Sequence, residues 1–304
     1  MSSSEKEPSD EEMRKLLKPN STPDQVVAAL KKSYAKPGQE VKMVKELDSY
    51  DDKNYWVEIN NIPYLAKVHN GVESKDFIKF WKEESAFEKS VIHMQNTIME
   101  HLNYHGISSS KPQKSIAGDT PSPASVHALP VVSEDHSPCE LVVRLLSWVP
   151  GRPMESFKML PLEALADAGR FLGKLSHTLS SLDTKELDAA RRYHQWDGKN
   201  TAGLKNFVAC IEDTRRRSMV ESVLHAFQED IIDSKVSEEF PKSFIHGDFN
   251  DANILLDGDF RVSGVIDFGD SVERYVAIVI LYLFGHSSSN TRVSGLCKIS
   301  SSTD

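Results

Sequence analysis

Between Phe77 and Leu102, apolar side chains recur at Phe80, Phe87, Val91, Met94, Ile98 and Leu102, at intervals of three, four and seven. That spacing predicts one amphipathic helix, with Gly106 closing it. Upstream, Thr22-Pro-Asp-Gln25 carries an N-cap, a proline at the first helical position and a capping-box glutamine. Val26, Val27 and Leu30 give that helix its apolar face. Extended segments follow at Glu40–Leu47, Tyr55–Ile59 and Tyr64–Val68, with the polar run Ser49-Tyr-Asp-Asp-Lys-Asn54 as a hairpin tip between the first two.

Residues 108–139 are rich in Ser and Pro and predict loop, with a weak strand at Val126–Val132. Glu140–Trp148 is a strong strand, stopped by Val149-Pro-Gly-Arg-Pro153. Leu162–Leu182 predicts a helix, two more helical stretches occupy about 203–234, and 244–270 predicts strand, loop, strand and strand. A first half made mainly of strands and a helix-rich second half predict a bilobal α+β protein. A polar, flexible tail is expected over 1–21 and a divergent polar tail over 277–304.

Composition narrows the partners. Net charge is −9 and the basic residues are scattered, which argues against nucleic acid, since phosphate backbones call for a basic face. Three widely spaced cysteines favour a reducing compartment over a disulfide framework. The N-terminus has no signal-peptide pattern, and the most apolar late run, Tyr275–Phe284, is too short to span a bilayer. A cytoplasmic protein with no membrane partner is expected.

The chemistry concentrates in Phe244–Asp270. Asp248 stands five residues before Asn253 in His246-Gly-Asp-Phe-Asn-Asp-Ala-Asn253, and Asp267 follows in Ile266-Asp-Phe-Gly-Asp270. Phosphoryl transfer from a nucleoside triphosphate needs such a set: one carboxylate to orient the attacking hydroxyl, and an amide oxygen and a second carboxylate for Mg²⁺. Asp and Gly also favour ordinary turns, but both motifs together, in this order, weigh against that reading. His246 reads as a residue packed under the loop rather than a proton carrier. Lys67, on the strand Tyr64–Val68, is either a phosphate contact or a solvated lysine. Ser49 and Asn54 on the hairpin tip could cover phosphates, and Trp148 is either a wall for a nucleotide base or core. No Gly-x-x-x-x-Gly-Lys-[Ser/Thr] occurs, so a P-loop is not the nucleotide site.

These two motifs resemble those of the aminoglycoside phosphotransferase/choline kinase family. More narrowly, Ser49–Asn54, Gln95-Asn96, Leu141–Leu146 through Pro150–Pro153, His246–Asp251 and Val262–Ser271 resemble its hydroxylysine-phosphorylating branch. The resemblance covers about 23–276. It implies a protein-kinase-like fold with a mainly antiparallel-sheet, nucleotide-binding N-lobe (22–148) and a helical, catalytic C-lobe (149–276). It also implies transfer of the γ-phosphoryl of GTP (or ATP) to the hydroxyl of a small amine or amino acid, 5-hydroxy-L-lysine foremost. Choline, homoserine and aminoglycoside-like amines are the alternatives. By that resemblance Asp248 is the catalytic base, Asn253 and Asp267 hold magnesium, and Lys67 contacts phosphate. Leu145–Trp148 would form the hinge beside the base; Asp251 and Asp270 are candidates for holding the amine substrate.

Two departures from the family pattern stand out. His93 occupies the early-helix position where the family carries the acid that pairs with the strand lysine. Glu88 would lie about 140° away around the helix. The family also continues in a long helical region after Val276, whereas here a polar tail follows. An incomplete C-lobe is the expectation, and a non-catalytic nucleotide-binding product competes with the enzyme.

Overall fold

The chain starts its first long helix where a side chain can take up the loose backbone donors. Thr22, in extended conformation, accepts a hydrogen bond from the Gln25 backbone N–H, and the Gln25 side chain accepts one from the Thr22 N–H. The computed structural model describes residues 10–82, 90–116, 126–132, 138–185, 187–192, 198–235 and 239–275. They form two compact units. One holds Met1–Pro150 with Glu186–Ala189 and Ser263–Ile266; the other holds Gly151–Lys185, Ala190–Val262 and the chain from Asp267.

The first unit contains α1 (Asp10–Leu16), α2 (Pro23–Ser33), β1 (Val41–Leu47), β2 (Lys53–Ile59), β3 (Ile62–Val68), α3 (Gly71–Lys82), α4 (Val91–Tyr104), β4 (Val126–Val132) and β5 (Pro138–Ser147). The strands build one antiparallel sheet in the order β1-β2-β3-β5-β4. The expected tip joins β1 to β2, but it is shorter than Ser49–Asn54: Lys53 and Asn54 already belong to β2, and Asn54 pairs with Leu47. A tighter turn was not foreseen. Asn60 and Asn61 both take positive φ, 51° and 63°, and let Ile59 pair directly with Ile62. Asparagine tolerates this left-handed backbone better than most residues.

Alternation along the strands decides which face is core. Tyr55, Val57, Ile59, Ala66, Val68, Leu141, Val143 and Leu145 pack under Val26, Ala29 and Leu30 of α2. The intervening residues, among them Asn54, Lys67 and Arg144, face the other way. The single helix expected over Phe77–Leu102 is instead two. Ser90 has an extended backbone, φ −73° and ψ 130°, and its hydroxyl caps α4 by accepting from the His93 N–H. Gly106, at φ 73°, follows α4. Of the expected flexible tail, the part from Asp10 onward is ordered by docking: the Gly71 N–H donates to the Leu17 carbonyl at 2.9 Å. A Cβ at Gly71 would meet Leu17 Cβ at 2.7 Å, so this approach requires glycine.

The second unit contains β6 (Arg152–Pro153), α5 (Leu162–Ser180), α6 (Thr214–Phe227), β7 (Lys242–Ile245), β8 (Ile254–Leu256) and β10 (Val272–Tyr275), whereas β9 (Val262–Val265) falls in the first unit from Ser263 onward. Helix α5 buries Ala164, Ala168, Leu172, Leu175 and Leu179. Strand β7 pairs antiparallel with β10, Ile245 opposite Val272, and β6 pairs with β8. The helical stretch expected near 203–234 is a 3₁₀ run (Gly198–Cys210), then α6 capped by Asp213, then one π-helical segment (Gln228–Asp233). Among the described residues no helix is long and apolar enough to cross a membrane. Glu88 and 277–304 lie outside the described residues.

The core assignment has a direct test. Leu30→Ala removes a fully buried side chain from α2 and is expected to cost about 2–5 kcal/mol. Val44→Ala, on the exposed side of β1, should stay within about 0.5 kcal/mol. Urea denaturation of both variants measures the contrast.

Candidate active site

Strand β7 ends in buried Phe244 and Ile245, and the chain then turns at Gly247 with φ 83°. A Cβ there would lie 2.1 Å from the Asp270 carbonyl oxygen. Only glycine lets these two segments approach so closely. The turn presents Asp248, whose carboxylate is held on both sides. Oδ1 accepts from Asn250 Nδ2 at 2.7 Å, and Oδ2 accepts from Asn253 Nδ2 at 2.8 Å. Asn253 Nδ2 also donates to the Asp248 carbonyl at 2.9 Å. Asn250 in turn accepts from the Ala252 and Asn253 N–H groups through its side-chain oxygen. The loop is thus a small closed network that leaves the buried Asn253 with its amide oxygen as the outward acceptor.

Asp267 sits on the following turn in left-handed backbone, φ 61°, and accepts from the Gly269 N–H at 3.2 Å. Burial raises the Asp248 carboxyl above the usual carboxylate range, and the nearby Asp270 and Asp267 raise it further. Asp267 and Asp270 therefore lie within electrostatic reach of Asp248. His246 is buried and structural in its contacts. Its Nδ1 accepts from the Asp248 N–H, its carbonyl accepts from the Ser271 hydroxyl, and its ring lies 4.8 Å from that of Phe268. Asp251 is half-buried, and its carbonyl accepts from the Glu155 N–H at 2.9 Å.

The remaining candidates belong to the first unit. Lys67 Nζ lies 2.7 Å from Asp52 Oδ2, with both side chains buried. Asn54 is the residue directly opposite Lys67 across β2 and β3. Ser49 lies on the same tip as Asp52, where its carbonyl accepts from Lys18. Trp148 is half-buried and stacks on Trp56, with ring centroids 5.4 Å apart. The Asn54 side-chain oxygen and the Trp56 indole N–H are buried without a hydrogen-bond partner among the described residues. Leu145 does not join this group. Its side chain lies in the α2 core, on the sheet face opposite Lys67, and its carbonyl accepts from the Gln113 N–H. The alternation of β5 puts it there.

Several participants were not singled out from the sequence. Asp52 supplies a carboxylate to Lys67 from the hairpin tip, a different place from helix α4 where His93 stands. Arg144 is buried beside Lys67 on the neighbouring strand. Its Nε donates to His69 Nε2 at 2.7 Å, one terminal nitrogen to Asn96 at 2.7 Å, and the other to Gln95. With Nε2 accepting, the His69 proton resides on Nδ1, which donates to Glu73 at 3.0 Å. Burial and Arg144 hold His69 below its ordinary range, in the neutral form. Burial alone would raise Asp52; Lys67 and its hydrogen bonds bring it down to about 2. Asp52, His69 and Glu73 could be read as a metal cluster from their separation of 4.8 Å or less. Their atoms are already committed: Asp52 to Lys67, His69 to Arg144 and Glu73, and Glu73 also to Arg14, which holds Asp51 as well. In the second unit Arg192, equally unforeseen, donates to the Gly269 and Ser271 carbonyls at 3.0 and 2.9 Å and so steadies the loop after Asp267.

Comparison with known proteins agrees with this architecture. The chain is 29% identical to mouse hydroxylysine kinase over 279 residues, covering 85% of this chain and 69% of that protein. It is 29% identical to the bovine hydroxylysine kinase over 296 residues, covering 92% and 74%. Among solved structures, a microcompartment-associated aminopropanol kinase matches with TM-score 0.50 and 19% identity, covering 86% of this chain and 72% of that one. The GDP complex of aminoglycoside 2′-phosphotransferase-IIIa matches with TM-score 0.50 and 16% identity, covering 82% and 74%. These structures share the fold, an antiparallel sheet with helices of the aminoglycoside-phosphotransferase kind. The model of the phosphotransferase enzyme family matches residues 44–277, most of the chain and both motifs, so the chain belongs to the phosphotransferase enzyme family and is a small-molecule phosphotransferase acting on hydroxyl acceptors.

Proposed function

We propose that this chain transfers the γ-phosphoryl group of GTP, with ATP as the alternative donor, to the side-chain hydroxyl of 5-hydroxy-L-lysine in the cytoplasm. The carrying observation is Asp248, its two carboxylate oxygens bracketed by the amides of Asn250 and Asn253 and crowded by Asp267 and Asp270. In the reaction the substrate hydroxyl oxygen bonds to the γ-phosphorus, and the bond from that phosphorus to the bridging oxygen of the nucleotide breaks. The hydroxyl proton passes to Asp248, and GDP leaves. The Asn250 and Asn253 amides keep the Asp248 carboxylate in one orientation, so little rotational freedom is lost at the moment of transfer.

Asn253, through its side-chain oxygen, and Asp267, through its carboxylate, would hold Mg²⁺; the Asn253 amide nitrogen is spent on Asp248, which leaves the oxygen as the acceptor such an ion takes. When bound, magnesium neutralises charge on the phosphate oxygens. Lys67 is assigned to a nucleotide phosphate, with Asn54 and Ser49 on the adjoining hairpin and Trp148 against the base. The unsatisfied Asn54 oxygen and Trp56 N–H support a polar ligand on that face of the sheet. Hydroxylysine is favoured because the hydroxylysine kinases of mouse and cattle are similar along most of this chain. Asp251 and Asp270 offer carboxylates for its ammonium groups. Choline, homoserine or an aminoglycoside-like amine is the alternative acceptor.

A coupled assay with hydroxylysine, GTP and Mg²⁺ is expected to show turnover at least tenfold above that with choline, homoserine or kanamycin. A folded preparation that binds Mg-GTP in a thermal shift yet turns over none of these acceptors would make the chain a non-catalytic binder. Asp248→Asn should lower kcat by about 10²–10⁴ and leave the nucleotide Kd within a few-fold, because it removes chemistry rather than ground-state binding. Isothermal titration beside the kinetic assay separates the two effects.

A further inference from the structure

We infer that Asp52, delivered by the tip between β1 and β2, is the positioning carboxylate of Lys67, and that helix α4 reaches this part of the sheet through the neutral amides Gln95 and Asn96 on Arg144. The inference rests on the assignment of Lys67 to a nucleotide phosphate given above. Its geometry is over-determined. Asp52 Oδ2 meets the ammonium at 2.7 Å, while Oδ1 accepts from the Asn70 backbone N–H at 2.6 Å.

The tip that carries Asp52 is itself tied down. Asn70 Nδ2 donates to the Asp51 carbonyl at 3.0 Å and to the Arg14 carbonyl at 2.8 Å. Arg14 grips the Asp51 carboxylate at 2.6 Å, and Lys18 donates to the Tyr50 carbonyl at 2.8 Å. The segment before α2 therefore straps down the hairpin whose third acidic residue, counting from Asp48, meets Lys67. A lysine ammonium on a four-carbon stem has many rotamers. A fixed carboxylate selects one of them and keeps the buried amine charged, and both are needed to meet phosphate. On helix α4, Gln95 and Asn96 serve Arg144 instead, so the helix contributes acceptors without charge.

The test compares the full-length parent with Asp52→Asn, Asp52→Glu and, as a control at an exposed acid of the same hairpin, Asp48→Asn. Competitive acetylation with acetic anhydride, followed on the Lys67 peptide by mass spectrometry, reads the amine directly and needs neither nucleotide nor turnover. Asp52→Asn is expected to make Lys67 reactive at lower pH than in the parent, Asp52→Glu to restore most of the parent profile, and Asp48→Asn to leave it unchanged. With GTP, Asp52→Asn should raise the nucleotide KM about tenfold and leave the acceptor KM within twofold.

Acid titration adds a stability readout. The Asp52 carboxyl lies near 2 in the folded chain and about 3.9 when unfolded. Its contribution is complete above about pH 4 and lost as pH falls through about 2. The urea midpoint of Asp52→Asn should therefore fall less across that window than that of the parent. An unchanged Lys67 labelling profile in Asp52→Asn overturns the inference. So does an active parent whose nucleotide KM and kcat survive Asp52→Asn within twofold, and in that case the proposed reaction stands. A parent that neither binds nor turns over nucleotide removes the proposed reaction, and with it a role for Lys67 in phosphate contact, whatever the labelling shows.

Discussion

A guanidinium buried in a β-sheet is stable only if its N–H groups all find acceptors, and the first unit is organised around that requirement. Arg144 lies on β5 with His69 after β3, Glu73 on α3 and both Gln95 and Asn96 on α4 gathered round it. Removing one acceptor from such a buried set leaves a charged donor unsatisfied and costs about 1–3 kcal/mol. The requirement therefore constrains four elements at once. It makes His69 neutral, aligns Glu73, and fixes which turn of α4 faces the sheet. Lys67 is the cross-strand neighbour of Arg144, and like Arg144 it is buried against a carboxylate-bearing segment rather than solvated.

The second unit solves a related problem in the opposite sense of charge. Burial raises the energy of the ionised Asp248 on the loop after β7, and the like charges of Asp270 and Asp267 add to it. Neutral asparagine amides, a glycine at φ 83° and the arginine that holds the Gly269 and Ser271 carbonyls keep the loop in shape.

Much of this was legible in the order of residues. The Thr22 capping box, the alternating strands and the two acidic turns are local signals, set by hydrogen bonds and side-chain periods within a few residues. The helix boundary at Ser90 was harder to read, because the apolar spacing runs on through it and only a capped, extended backbone interrupts the pattern. The two asparagines at 60–61 carried a turn signal that the neighbouring strands overshadowed. Leu145 was placed beside the nucleotide from resemblance alone, and strand alternation would have been enough to put its side chain in the core.

What the chain determined by itself was the identity and order of the groups proposed to react: Asp248, Asn253 and Asp267 stand within one short stretch, inside the span that the family matches. Which partner each group meets was decided only by the tertiary structure. Asp52 and Lys67 are 15 residues apart and lie on different segments. Arg144 is 75 residues from His69 and 48 from Asn96. Pairing across such distances is fixed by sheet register and by the cost of burying charge unpaired, and neither quantity is written in local spacing.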